Sequence, residues 1–416
     1  MDRIVIQGGV PLKGEVSISG AKNAALPLMA ACLLTEETCR IENLPALRDV
    51  ESFLELLRRL GVRAESRASS VDLRAAGLRG VRAPYDLVRK MRASVLVLGP
   101  LVARTGKAAV SLPGGCAIGV RPIDQHLKGL AALGVEIVLK GGYIHAKARG
   151  LKGAEIFLDL VTVTGTMNLM MAAALADGRT RLHGAAREPE VVQLAEALRA
   201  MGAEVRGEGT DAVEVVGAPR LKGFQVRIIP DRIEAGTYLL AGAVTGGEVC
   251  VTGAVAEHVR ALSGKLAEAG ADICEEGGRI RVRGRRPVRA VDFQTAPYPG
   301  FATDLQAQMM VLLCLARGAS VITETIFENR FMHVAELRRM GAVVRVEGNR
   351  AVVEGVERLA GAEVMATDLR ASASLILAGL AAEGETVVNR VYHVDRGYER
   401  IEEKLSALGA RIERVR

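Results

Sequence analysis

The sequence predicts an α/β protein of two domains, each made of three copies of one repeated unit of about 70 residues. Three observations carry this prediction. A tag of helix end, glycine and strand recurs six times, as LGVRAES at Gly61, LGVEIVL at Gly134, MGAEVRG at Gly202, AGADICE at Gly270, MGAVVRV at Gly341 and LGARIER at Gly409. The spacings are 73, 68, 68, 71 and 68 residues. A second pattern runs out of phase with it: a small-residue helix start, an apolar helix, a glycine or polar turn, and a strand. The chain ends are also complementary, because GARIERVR stops after one strand while MDRIVIQGGV begins with another.

The elements follow in order. The first apolar helix lies in GAKNAALPLMAACLLTEETCRIENL, and the amphipathic VESFLELLRRL leads to Gly61. RASVLVLGPLVARTGKAAVSLPG and GTMNLMMAAALADGRTRLHGA repeat the apolar pattern, and VVQLAEALRAM leads to Gly202. AGTYLLAGAVTGGEVCVTGA, TDLQAQMMVLLCLARGASVITET and RASASLILAGLAAEGETVVNRV complete the set, with HVAELRRM ahead of Gly341. A glycine after an amphipathic helix reads as its C-terminal cap. PLKGEV near the N-terminus matches RLKGFQV at 220–226 and GLKGAEI at 150–156, so the first twenty or so residues are expected to close the last unit. The expected domains are residues 22–229, and 1–21 with 230–416, with an active site in the cleft between them.

Each apolar helix opens at or beside a polar residue: Lys22, Arg92, Thr162, Arg232, Asp304 and Arg370. Helix N-termini favour anions. Any one of these residues reads as an ordinary cap; four cations among six point to a multiply anionic ligand. The net charge of +7 agrees with an anionic small molecule better than with nucleic acid, since only 3% of residues are aromatic and the basic residues are dispersed. The apolar run from Ala93 to Ala103, between Arg92 and Arg104, is too short to cross a bilayer. MDRIVIQGGV lacks the basic-then-apolar pattern of a signal peptide, so a cytoplasmic protein is expected. Six cysteines without CxxC spacing argue for reduced thiols rather than disulfides or zinc. Cys116 differs from the rest because it sits in the glycine-rich SLPGGCAIGVRPID.

SGAKNAALPLMAA, MRAS, LPGGCAIGVRPIDQH, AAREPEV, DRIEAGTY, TDLQAQM, TETIFENRFMH, DLRAS and HVDRGYE together resemble the enolpyruvyl transferase family, in order along the whole chain. The resemblance implies two inside-out α/β domains, with helices buried and sheets outside. It also implies transfer of the enolpyruvyl group of phosphoenolpyruvate to the 3-hydroxyl of UDP-N-acetylglucosamine, releasing phosphate at the start of peptidoglycan synthesis. No metal or organic cofactor is implied, and no membrane or nucleic-acid partner. The oligomeric state is left open, a monomer being favoured.

The residues that match the family's site divide by role. Cys116 matches the proton donor, and a thiol with an unperturbed pKa of about 8.5 suits an acid–base task. Asp304 matches the carboxylate that contacts the sugar hydroxyl. Lys22, Asn23, Arg121 and Arg396 match the groups around phosphoenolpyruvate, Lys22 and Arg396 also being catalytic. Arg92, Arg121, Pro122, Ile123, Asp124, Gln125, Thr162, Val163, Thr164, Asp304 and Ile326 match the UDP-sugar site. Asp368 and Arg370 match residues that support the cleft. Asp231, Glu188 and Arg330 match as well, with a structural ion-pair role at least as expected. His126 is read as orienting the loop or touching the UDP-sugar, with a general-base role as the lesser reading.

The chain departs from the family pattern in two places. LVTVTGT stands where PSVGAT is usual, and threonine at 164 in place of glycine is expected to alter backbone approach to the diphosphate. FATD stands where FPTD is common, a change in loop stiffness. Two alternatives are weighed: a 5-enolpyruvylshikimate-3-phosphate synthase, which would carry GSKS where this chain has GAKN, and a non-catalytic UDP-sugar sensor.

Overall fold

A computed structural model describes residues 2–89, 91–112 and 123–416. They form two compact units: residues 2–19 with 230–416, and 20–112 with 123–229. Each unit has its own apolar core, gathered around three helices that are apolar on every side.

In one unit these helices are Lys22–Ala31, Leu98–Thr105 and Val163–Ala173; in the other they are Arg232–Thr245, Gln306–Leu313 and Leu369–Ala381. Every residue of Gln306–Leu313 is buried, as is every residue of Val163–Ala173 from Gly165 onward. The sheets lie outside them. Among the described residues there are six sheets of four strands and one of two. Strands alternate inward apolar and outward polar residues, as in Thr38–Glu42, where Cys39 and Ile41 are buried and Thr38 is exposed. This is the inside-out arrangement implied by the family resemblance.

The four-stranded sheets share one plan. A strand after the core helix pairs antiparallel with the second strand of a hairpin, whose first strand forms one edge. A short parallel strand forms the other edge. In Gln225–Arg227, Thr38–Glu42, Ser70–Arg74 and Arg63–Arg67, the first pair is parallel and the other two are antiparallel. Outer helices such as Arg48–Leu60 and Pro189–Met201 precede the hairpins. All six tag glycines have positive φ, between 90° and 109°, so the expected left-handed turn follows the helix in every repeat. Two core helices open through a tighter 3₁₀ turn than the sequence reading supposed, at Arg92–Val97 and Thr303–Leu305.

The N-terminus departs from expectation in part. Arg3–Gln7 does complete the last sheet, lying antiparallel between Glu385–Asn389 and Arg411–Val415. Lys13–Ser17 does not join it. That strand runs parallel to Glu248–Thr252, in the sheet that follows helix Arg232–Thr245. Gln225–Arg227, its sequence match, serves instead the sheet that follows helix Lys22–Ala31. The two strands are thus exchanged relative to the helices they precede. Exchange lets the chain leave one unit near residue 19 and return near 230 while each unit keeps three complete sheets.

Candidate active site

Each unit assembles its own set of the residues singled out in the sequence. In the unit of residues 20–229, Lys22 is the first residue of its helix, and its Nζ lies 3.4 Å from Oδ2 of Asp49. Asp49 is buried in the first turn of Arg48–Leu60. Asn23 follows Lys22 and is half-buried. Pro27, four residues further on, has no N–H to offer the Asn23 carbonyl, which loosens the helix's opening turn.

The stretch 162–164 opens helix Val163–Ala173. Thr162 is its N-cap, with Oγ1 accepting from the Gly165 amide at 3.1 Å. A Cβ at Gly165 would stand 2.3 Å from the Thr162 Cγ2 methyl. With threonine at 162 placed as it is, glycine at 165 leaves room that a larger residue would have to make. Thr164 faces inward to His126, its Oγ1 lying 3.3 Å from Nε2.

Asn168, not singled out in the sequence, links the segments that carry the candidate UDP-sugar contacts. Its Oδ1 accepts from the Gly99 amide at 2.8 Å, and its Nδ2 donates to the Val95 carbonyl at 3.2 Å and to His126 Nδ1 at 3.0 Å. Val95 belongs to the turn that Arg92 opens. Because Nδ1 accepts, Nε2 carries the ring proton and donates to Thr164. His126 is buried, and burial followed by the nearby Arg92 charge lowers its pKa to about 4. It is neutral near pH 7 with both nitrogens engaged, an arrangement that fits the orienting role.

Asp124 and Gln125 open helix Asp124–Ala132. The buried Gln125 amide donates to Oδ2 of Asp124 and Oδ2 of Asp159, and accepts from the Asp159 N–H. Its side chain is thus committed to holding Asp124 and the end of a neighbouring strand. Ile123 precedes this helix, while Cys116, Arg121 and Pro122 lie outside the described residues.

In the other unit, Asp304 sits in the 3₁₀ turn Thr303–Leu305, between two arginines. Its Oδ1 accepts from Nη2 of Arg330, and its Oδ2 from Nη2 of Arg370, each at 2.7 Å. The arginine side chains are only 4% and 5% exposed, the aspartate's 26%. The carboxylate is therefore held by two buried cations while remaining partly exposed itself. Arg330, for which a structural role was at least as expected, belongs to this group. Asp231 is an N-cap, accepting from the Ile233 and Glu234 amides.

Asp368 caps Leu369–Ala381, its Oδ1 accepting from the Arg370 and Ala371 amides, and so sets where Arg370 emerges. Arg396 ends the 3₁₀ turn Val391–Arg396 and is half-buried. His333, from ENRFMH, is buried near Asp368 and Arg330; burial lowers its pKa to about 4. Ile326 is placed by Glu324, whose Oε1 accepts from the Ile326 amide at 2.7 Å and the Thr295 hydroxyl at 2.8 Å. Glu324 also receives the Thr303 hydroxyl at 2.9 Å, tying the Ile326 turn to the turn of Asp304. Glu324 stood inside the quoted TETIFENRFMH; a buried carboxylate among threonines was the signal, and only folding gives it meaning.

The chain matches the family model of EPSP synthase (3-phosphoshikimate 1-carboxyvinyltransferase) over residues 6–405. It is 56% identical to the UDP-N-acetylglucosamine 1-carboxyvinyltransferase of Desulfosudis oleivorans, with all of both chains covered. It is 60% identical to the protein of that name in Anaeromyxobacter dehalogenans, also with all of both covered. Among solved structures it resembles the enolpyruvyl transferase NikO of Streptomyces tendae, with a TM-score of 0.89 and 26% identity, covering 100% of this chain and 99% of that one. An EPSP synthase of Acinetobacter baumannii shares the fold at a TM-score of 0.77 and 21% identity, with both chains fully covered.

Proposed function

We infer, for a chain that belongs to the enolpyruvyl transferase family, an enzyme that joins the enolpyruvyl group of phosphoenolpyruvate to the 3-hydroxyl of UDP-N-acetylglucosamine and releases phosphate. The observation that carries this reading is identity of 56–60% along the entire chain with curated UDP-N-acetylglucosamine 1-carboxyvinyltransferases. Likeness to EPSP synthase structures is a likeness of fold, and GAKN in place of GSKS weighs the same way.

The residues that match the family's site take these roles. In the addition step Asp304 accepts the proton of the sugar 3-hydroxyl as the oxygen bonds to C2 of phosphoenolpyruvate, and Cys116 delivers a proton to the methylene carbon. Elimination reverses the proton flow. The new methyl group loses a proton, the C2–O bond to phosphate breaks, and phosphate leaves. Lys22, Arg121 and Arg396, with Asn23, neutralise the phosphate and carboxylate charge, which grows on the leaving phosphate in the transition state. Arg92, the segment 121–125, the turn 162–164 and Ile326 hold the UDP-sugar.

The clamp on Asp304 supports its role. Two arginines hold the carboxylate in one orientation, so little reorganisation accompanies proton acceptance. The Asn168–His126 network similarly supports binding by Arg92 and the turn 162–164. No helix among the described residues is long and apolar enough to cross a membrane. Cell-wall synthesis in the cytoplasm is the setting this reading implies.

A phosphate-release assay tests the function. Phosphoenolpyruvate with UDP-N-acetylglucosamine should release phosphate, and phosphoenolpyruvate with shikimate 3-phosphate should not. Release only with shikimate 3-phosphate would establish the synthase reading, and release with neither would favour a sensor.

A further inference from the structure

Behind Asp304 lies a second set of polar side chains to which the reaction assigns no task. Thr237, Gln308 and Tyr398 are at most 2% exposed. They belong to helix Arg232–Thr245, helix Gln306–Leu313 and the segment after Arg396. The Thr237 hydroxyl donates to the Ile233 carbonyl at 2.8 Å, one turn back in its helix. Its single proton is thereby used, so the contact of 2.8 Å with Tyr398 has the phenol as donor. Burial pushes the Tyr398 pKa up, so the phenol keeps that proton. Gln308 Nε2 donates to the Asp304 carbonyl at 3.0 Å, with Tyr398 at 3.2 Å and Thr237 at 3.3 Å as further acceptors.

The orientation of the phenol matters because of what rests on it. The Arg370 guanidinium lies over the Tyr398 ring, 5.4 Å from its centroid, and the same guanidinium holds Oδ2 of Asp304. A ring pinned at its hydroxyl gives Arg370 a fixed floor. Gln308 meanwhile fixes the backbone from which Asp304 projects. We propose that Tyr398, with Thr237 and Gln308, is a positioning residue that aims the Asp304 carboxylate by holding Arg370 from beneath. This rests on the reading of Asp304 as the acceptor of the sugar proton.

Aiming affects the step in which the proton moves more than the binding of either substrate, so the effect should appear in kcat rather than KM. Tyr398→Phe keeps the ring and deletes the hydroxyl; Thr237→Val keeps the shape and deletes the acceptor. Both singles and the double variant are to be assayed for kcat and both KM values, with thermal melts, beside Asp304→Asn. Each single is expected to lower kcat about tenfold with KM values within about twofold. The double is expected to lose less than the product of the singles, because both changes remove the Thr237–Tyr398 bond. A Tyr398→Phe enzyme that melts lower but keeps kcat within about twofold of the parent, while Asp304→Asn is inactive, would overturn the positioning role alone. So would losses that multiply in the double variant. An Asp304→Asn enzyme with the parent's kcat would instead remove the premise, the base itself.

Discussion

The Asn168 and Asp304 clusters are two answers to one structural problem. Asn168 stands ten residues before Gly178, and Gln308 ten before Gly318, in the corresponding turns of their repeats. Each places an amide in the middle of a core helix and uses it to tie neighbouring segments. Around Asn168 the partners are two backbone groups and a neutral histidine, ending at the Thr164 hydroxyl. Around Gln308 they are two hydroxyls and a backbone carbonyl, and the cluster ends at a carboxylate between two guanidiniums. A repeat can thus keep an inner amide as scaffold while its outer end becomes neutral for binding or ionic for proton transfer. Ionic bonds are stronger but leave a larger penalty when half of a pair is removed.

The sharpest test removes the charged end. Asp304→Ala leaves two buried guanidiniums without their shared carboxylate. It should cost about 3–5 kcal/mol by urea unfolding and lower kcat at least about a hundredfold. Retained stability would mean the clamp is solvated and unlike a buried ion pair.

Acid separates the clusters next. His126 has a pKa of about 4 in the folded chain against 6.5 for the free side chain. The unfolded state then binds more protons between those values, so stability present above pH 6.5 is lost as pH falls towards 4. The loss should be at most about 3 kcal/mol from this residue. His126→Gln should flatten that part of the stability–pH curve, leaving the slope contributed by His333, whose pKa is lowered in the same direction. An unchanged curve would show that the His126 pKa is the same in the folded and unfolded chain.

Asn168→Leu breaks the neutral cluster at its root, leaving the Gly99 amide and the Val95 carbonyl without this partner. A cost of about 2 kcal/mol is expected, with KM for UDP-N-acetylglucosamine rising more than kcat falls. A fall in kcat with unchanged KM would erase the proposed division between the clusters. The last test concerns the altered turn. Gly165→Ala should cost about 1–3 kcal/mol through its clash with the Thr162 methyl, and Thr162→Ser in the same chain should recover most of it. Without recovery, the residues at 162 and 165 would be independent.

Much of the fold was legible because its signals are local. A glycine that ends a helix acts on the residues beside it, and six of them announced the repeat. Helices apolar all round declared their own burial. Polar residues at helix starts pointed to Lys22, Arg92, Thr162, Asp304 and Arg370 before any contact was visible, and the resemblance added roles to them. Glu324, Gln308 and Tyr398 stood in quoted motifs with no local property to separate them from their neighbours.

What the sequence determined by itself is therefore the repeat, the buried helices, the caps and the residue types available at each helix start, all set by interactions within a few residues. Tertiary structure alone decided the rest. Lys13–Ser17 and Gln225–Arg227 carry the same local pattern, and only packing assigns each to its sheet. Asp304 meets Arg370 across 66 residues, Asn168 meets Val95 across 73, and Thr237 meets Tyr398 across 161. No periodicity spans such distances. The two cores bring these side chains together out of water, where an unpaired polar atom is costly.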